Sequence, residues 1–174
     1  MPEPTPIELL KSEIQNGNYK AAAEATALFI KIDRSAALDY FISQLTNDDP
    51  VVRDRVALGL YDLQDNKAVG PLLKAINKPE NSNYNGTLAF ALSALDCSTL
   101  LKEIFDLLFY GNAEVRMSVE VILDEQIFEF NKADLLSIEA KWESIKKNPQ
   151  DCPYFEKYKE QIQYFVDSFL AYLK

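Results

Sequence analysis

Two pairs of adjacent carboxylates are the first residues in this sequence that could do chemistry: Asp48-Asp49 and Asp124-Glu125. Such pairs can divide general-acid and general-base work between them. Arg53 and Arg116 could anchor an anionic ligand, and Cys97 and Cys152 could serve redox or metal chemistry. None of these groups has the partners its chemistry needs. The chain has no histidine, which removes Ser-His-Asp, Cys-His and histidine–metal arrangements together. The two cysteines lie far apart, form no CxxC pair, and are read as reduced, partly buried thiols. No GxGxxG, P-loop or Ser-x-x-Lys pattern occurs. The carboxylate pairs fall at joints or helix ends, where capping and helix-end charge account for them. The expectation is a non-enzymatic chain with no catalytic residue, no cofactor and no metal.

Composition narrows the partners. The chain has 174 residues, and 18 Lys+Arg against 27 Asp+Glu give a formal net charge of −9. That length suits a single domain spanning 1–174 with its own core. Binding nucleic acid or an anionic membrane needs clustered basic residues, so neither is expected. A protein partner is expected instead, and a basic one fits the charge. The opening run Met1-Pro2-Glu3-Pro4-Thr5-Pro6 has no basic or apolar region of a secretory signal. No stretch approaches the roughly 18 apolar residues of a membrane span, so a cytoplasmic location is expected.

The elements that position these residues repeat along the chain. Val52, Val56, Leu60 and Leu63 form a helical stripe, which recurs as Tyr84, Leu88, Leu92 and Leu95 and again as Val115, Val119, Leu123 and Gln126. Only Gln126 breaks the apolar pattern; an earlier copy reads Ala21, Ala25, Phe29 and Ile32. Between these stripes, Leu38, Phe41, Ile42 and Leu45 match Val69, Leu72, Leu73 and Ile76, then Leu101, Ile104, Phe105 and Leu108. The first copy of that set is Ile7, Leu10, Lys11 and Ile14. The unit is two amphipathic helices, A then B, in about 31 residues. The A helices are placed at 7–16, 35–46, 67–77 and 98–110, and the B helices at 19–32, 50–64, 83–95 and 113–126. Asp49, Asn18 and Asn112 suit helix N-caps, Pro50 suits a first helical position, and Gly17 and Gly111 suit left-handed helix ends.

A two-helix unit cannot hide its apolar stripe alone, so stacked copies are expected to form a right-handed α-solenoid over residues 7–126. Residues 131–174 follow as capping helices. One carries Leu135, Ile138, Trp142 and Ile145, with Trp142 read as packed. The last carries Phe155, Tyr158, Ile162, Phe165, Phe169 and Tyr172 on one aromatic face, read as sealing the solenoid or docking a partner.

Asp49-Pro50-Val51-Val52-Arg53, Asn112-Ala113-Glu114-Val115-Arg116 and the A-helix run Ala68 to Ile76 resemble the short bacterial class of HEAT-like repeats. The third B helix departs from it, with Tyr84-Asn85 in place of Val-Arg. The resemblance implies that Arg53 and Arg116 bond acidic or carbonyl groups of neighbouring joints. The run Asn83 to Leu88, with Leu95-Asp96-Cys97-Ser98 and Gly111 to Arg116, also resembles small HEAT-repeat proteins akin to immunity proteins of polymorphic toxin systems. That resemblance implies binding and neutralising a toxin domain. A generic scaffold or adaptor for an endogenous complex is the alternative.

The expected working surface is the concave wall lined by B helices. Beside the core stripe run Asp54, Leu58 and Tyr61, then Gly86, Phe90 and Ser93, then Met117, Val121 and Asp124. Tyr84, at the insertion loop, and Glu125 complete the expected protein-binding set. Aromatics ringed by polar groups suit a hot spot. The other reading is that Leu58, Phe90 and Val121 pack neighbouring B helices laterally. Acidic residues outnumber basic ones between 103 and 143 and could steer a basic partner.

Overall fold

The structure, a computed structural model, describes residues 3–173. Met1 and Pro2 of the opening run, and Lys174, lie outside the described residues. Ten α-helices follow one another: α1 (Pro6–Asn16), α2 (Tyr19–Ile32), α3 (Arg34–Gln44), α4 (Pro50–Leu63), α5 (Val69–Ile76), α6 (Gly86–Ser93), α7 (Leu101–Tyr110), α8 (Ala113–Glu125), α9 (Lys132–Lys147) and α10 (Phe155–Leu170). No strand occurs among the described residues. Within each compact unit the helices pack on their neighbours in the chain, the all-α arrangement of an α-solenoid.

Side-chain caps start the helices where the sequence places them. Asn18 accepts from the Ala21 N–H, Asp49 from Val51 and Asn112 from Val115, each within 3.0 Å. Thr5 and Glu8 form a reciprocal capping box at α1. Gly17 and Gly111 correct an expectation. Both are extended, with φ −68°, and neither is left-handed. Glycine is needed there for space, since a Cβ would lie 2.6 Å from the Glu13 carbonyl and 2.5 Å from that of Leu107.

The chain forms two compact units, Met1–Leu95 and Asp96–Lys174. In the first, α1 packs on α2, α3 on α4 and α5 on α6, while the B helices α2, α4 and α6 lie side by side. Val52, Val56, Leu60 and Leu63 are all buried, as their spacing predicts. Gly59 lets α4 pack tightly on α3 and α2, because a Cβ there would meet the Phe41 ring at 2.6 Å and Thr26 at 3.0 Å.

Two apolar stripe positions, Ile32 and Tyr84, are exposed. In α2 the buried residues are Ala22, Ala25, Thr26 and Phe29, while Ile32 is exposed. The helix ends at Ile32, and the extended Asp33 starts α3 at the next residue, so the stripe stops one turn earlier. Tyr84 is 55% exposed, because α6 begins only at Gly86. The preceding insertion folds as a single 3₁₀ turn, Pro79–Asn81, held by Asn81 donating to the Ala75 carbonyl at 2.8 Å.

In the second unit α7 packs on α8 and α9, and α9 on α10. Gln126, the polar break in the stripe, accepts the Cys97 N–H at 2.8 Å. Trp142 is buried at 2% exposure, stacks on Phe109 and donates its indole N–H to Gln163 at 2.7 Å. Part of the aromatic face expected for the last helix packs inside this unit, whereas Tyr172 lies beyond the end of α10 and is 74% exposed. Ile162 and Phe165 are buried, and the Phe169 ring meets Phe105, Phe128 and Phe130 edge-on.

Candidate docking surface

Helices α2, α4 and α6 of the first unit frame a groove of about 300 Å³, lined by Tyr19, Ala22, Ala23, Thr26, Arg55, Leu58, Tyr61, Asp62 and Phe90. On the α2 side the lining is Tyr19, Ala22, Ala23 and Thr26, where the alanines leave room opposite the larger residues of α4. Tyr61 and Phe90 stack with centroids 4.5 Å apart and planes within 11°. The stack fixes both rings. Phe90 remains 44% exposed and Tyr19 stands largely in solvent at the rim. Leu58 is half-buried in the lining, between the roles of packing residue and contact residue.

Arg55 is the cation of this lining, and its guanidinium is occupied. It donates to the carbonyls of Ile14, Gln15 and Gly17 at 2.7–3.0 Å, closing the C-terminal end of α1. Asp62 is exposed at the groove. Asp54 is half-buried on α4, and the Ser93 hydroxyl donates to the Phe90 carbonyl at 2.7 Å within α6.

Tyr84 lies apart from this groove. It lines a separate cavity of about 290 Å³ between the α3–α4 joint and the insertion, with Asn47, Asp48, Arg53, Lys78, Glu80 and Asn81. The remaining expected contact residues belong to the second unit. On α8, Met117 is 69% exposed, Val121 is exposed one turn further, and Asp124 and Glu125 are exposed at the helix end. Glu120 beside them has its carboxyl pushed up, by burial first and the Asp124 charge second.

Sequence reasoning missed Tyr19, Ala22, Ala23, Thr26, Arg55 and Asp62. Part of the signal was present: shifting the stripe Asp54, Leu58, Tyr61 back by 31 residues lands on Ala23, Ala27 and Ile30 of α2. Tyr19 and Arg55 carry no such signal, because their place depends on how α2 and α4 cross.

Arg53 and Arg116 serve the joints. Arg53 donates to the carbonyls of Asn47 and Asp48 at 2.7 and 3.1 Å. Arg116 donates to Leu108, Phe109 and Pro153 at 2.8–2.9 Å and lies 4.6 Å over the Tyr158 ring. Both thiols are buried, and neither is in a disulfide. Burial, with the Asp96 charge second, pushes the Cys97 thiol up to about 12, and burial raises that of Cys152. Neither is disposed to form a thiolate near neutral pH. Among the described residues no group of three or more Cys, Asp or Glu could hold a metal ion, and no helix is long and apolar enough to cross a membrane.

Paired helices in series, buried joint donors and an open aromatic groove define a repeat scaffold of the class that works through protein contacts. The chain belongs to the HEAT-repeat family: the family model for HEAT repeats matches residues 7–93, half of its length. The match covers all six helices of the first unit. No curated protein and no solved structure matches the chain.

Proposed function

We propose that this chain is a non-catalytic protein-binding module whose docking surface is the groove between α2, α4 and α6. The observation that carries the reading is the Tyr61–Phe90 stack, held rigid at 4.5 Å yet open to solvent on Phe90. Rigid aromatics at the mouth of a depression lose little entropy on binding and dominate many interfaces. Tyr84, Met117, Val121, Asp124 and Glu125 add exposed contact candidates on other elements.

The finer reading is an immunity-type protein that binds and neutralises a bacterial toxin domain in the cytoplasm. Its support is the sequence resemblance of Asn83 to Leu88 and Gly111 to Arg116, together with the net charge of −9. A scaffold for an endogenous complex is the alternative. The test starts from the reading frame immediately upstream of the gene. Its product should arrest growth when expressed alone, and this chain should bind it in a stoichiometric complex that restores growth. Tyr61→Ala and Phe90→Ala should each weaken that complex by about 1–3 kcal/mol with the fold intact. A non-toxic neighbour that still binds supports the scaffold. Full affinity in both variants rejects the groove.

A further inference from the structure

We infer that the groove takes an arginine side chain of the partner, its guanidinium laid against the aromatic rings and paired with Asp62. The inference rests on the docking reading above and names the chemistry of what enters.

Three observations converge on a guanidinium. The first is shape and surface. A depression of about 300 Å³ has room for one long side chain, and Tyr19, Tyr61 and Phe90 give it aromatic walls. Aromatic faces attract cations, and a flat guanidinium can lie against them.

The second is charge. Asp62 lines the groove and makes no ion pair or hydrogen bond with any described residue. The one cation of the lining, Arg55, is engaged by three carbonyls at the end of α1, where the helix dipole offsets its charge. The carboxylate is therefore open to a cation from outside. The net charge of −9 favours the approach of a basic partner.

The third is the penalty on other occupants. A leucine or phenylalanine seated here would desolvate Asp62 without replacing its hydrogen bonds. A phosphate or carboxylate would meet it as a like charge. A lysine could pair with it, but its compact, strongly hydrated ammonium gains less from the flat walls than a guanidinium does.

The test is a titration of the ¹⁵N-labelled full chain, followed by amide shifts, with four blocked tripeptides. They are Ac-Ala-Xaa-Ala-NH₂ in which Xaa is arginine, lysine, citrulline or norleucine. Citrulline keeps the planar shape of arginine and removes its charge. The arginine peptide should give saturable shifts on α2, α4 and α6, and citrulline should bind at least about fivefold more weakly. Asp62→Asn should bring arginine down to the citrulline level and leave the citrulline peptide unchanged. Asp62 is exposed, so this variant should keep the wild-type amide pattern elsewhere. Equal binding of arginine and citrulline, shifts confined to another surface, or no saturable shift would each overturn the inference. The docking reading has its own criterion. If the intact partner loses affinity on Tyr61→Ala while the peptides show no preference, the groove stands and only its arginine specificity falls.

Discussion

Asn85 stands at the register position of Arg116, and both send a side-chain N–H to a carbonyl in the last turn of the preceding helix, Ile76 at 3.1 Å and Leu108 at 2.8 Å. Arg53 takes the same position in its repeat and bonds the joint carbonyls of Asn47 and Asp48. In the first repeat the position holds Ala22, which has no donor, and Arg55 reaches back from α4 to supply the α1–α2 joint. Every A–B joint thus has a side-chain donor for carbonyls that a helix end leaves open.

The joint donors should therefore matter for stability in proportion to what they hold. Arg116→Ala removes the donor of three carbonyls, each worth roughly 1–3 kcal/mol when buried without a partner, and should destabilise the chain by about 3 kcal/mol or more. Asn85→Ala opens one such carbonyl and should cost about 1–2 kcal/mol. Urea denaturation at unchanged slope measures both. Equal, small effects would mean that water replaces the guanidinium.

Gly59 should not tolerate a methyl group. A Cβ there meets the Phe41 ring at 2.6 Å, closer than packed atoms allow. Gly59→Ala should destabilise by about 1–3 kcal/mol through overpacking, despite the better helix propensity of alanine. Phe41→Leu in the same chain should recover part of that loss, a coupling visible in a double-mutant cycle of melting temperatures.

Asp124 and Glu125 are exposed at the end of α8. Reversing both to lysine should leave stability nearly unchanged. If the partner is basic, the variant should associate more slowly and with a flatter dependence on salt. Stopped-flow association at several ionic strengths reads both; unchanged kinetics would remove electrostatic steering by this helix end.

Cys97 should make stability depend on alkaline pH. Its thiol lies near 9 when free and is pushed up to about 12 in the fold. Between these values the unfolded chain loses the proton that the native chain keeps, so stability is intact below about 9 and falls as pH rises toward about 12. Cys152, Tyr40 and Tyr110 are raised in the same direction and add to the fall. Cys97→Ala should make the decline shallower in denaturation curves taken at stepped pH. An identical slope would show that the thiol titrates normally.

The sequence by itself determined the repeat, because burial on one helix face leaves a period of three to four residues that any single strand of text displays. Val52, Val56, Leu60 and Leu63 announced α4, and Asp49-Pro50 announced where it starts. Tertiary structure decided what periodicity does not encode. Tyr84 shares the spacing of a core residue, yet the insertion before it is held by Asn81 and Asn85 and delays α6 until Gly86. Tyr19, Arg55 and Asp62 belong to no stripe, and they meet only because α2 and α4 pack at a particular crossing. A helix face is local information written in neighbouring residues. A groove is a relation between distant ones, fixed by how the helices pack.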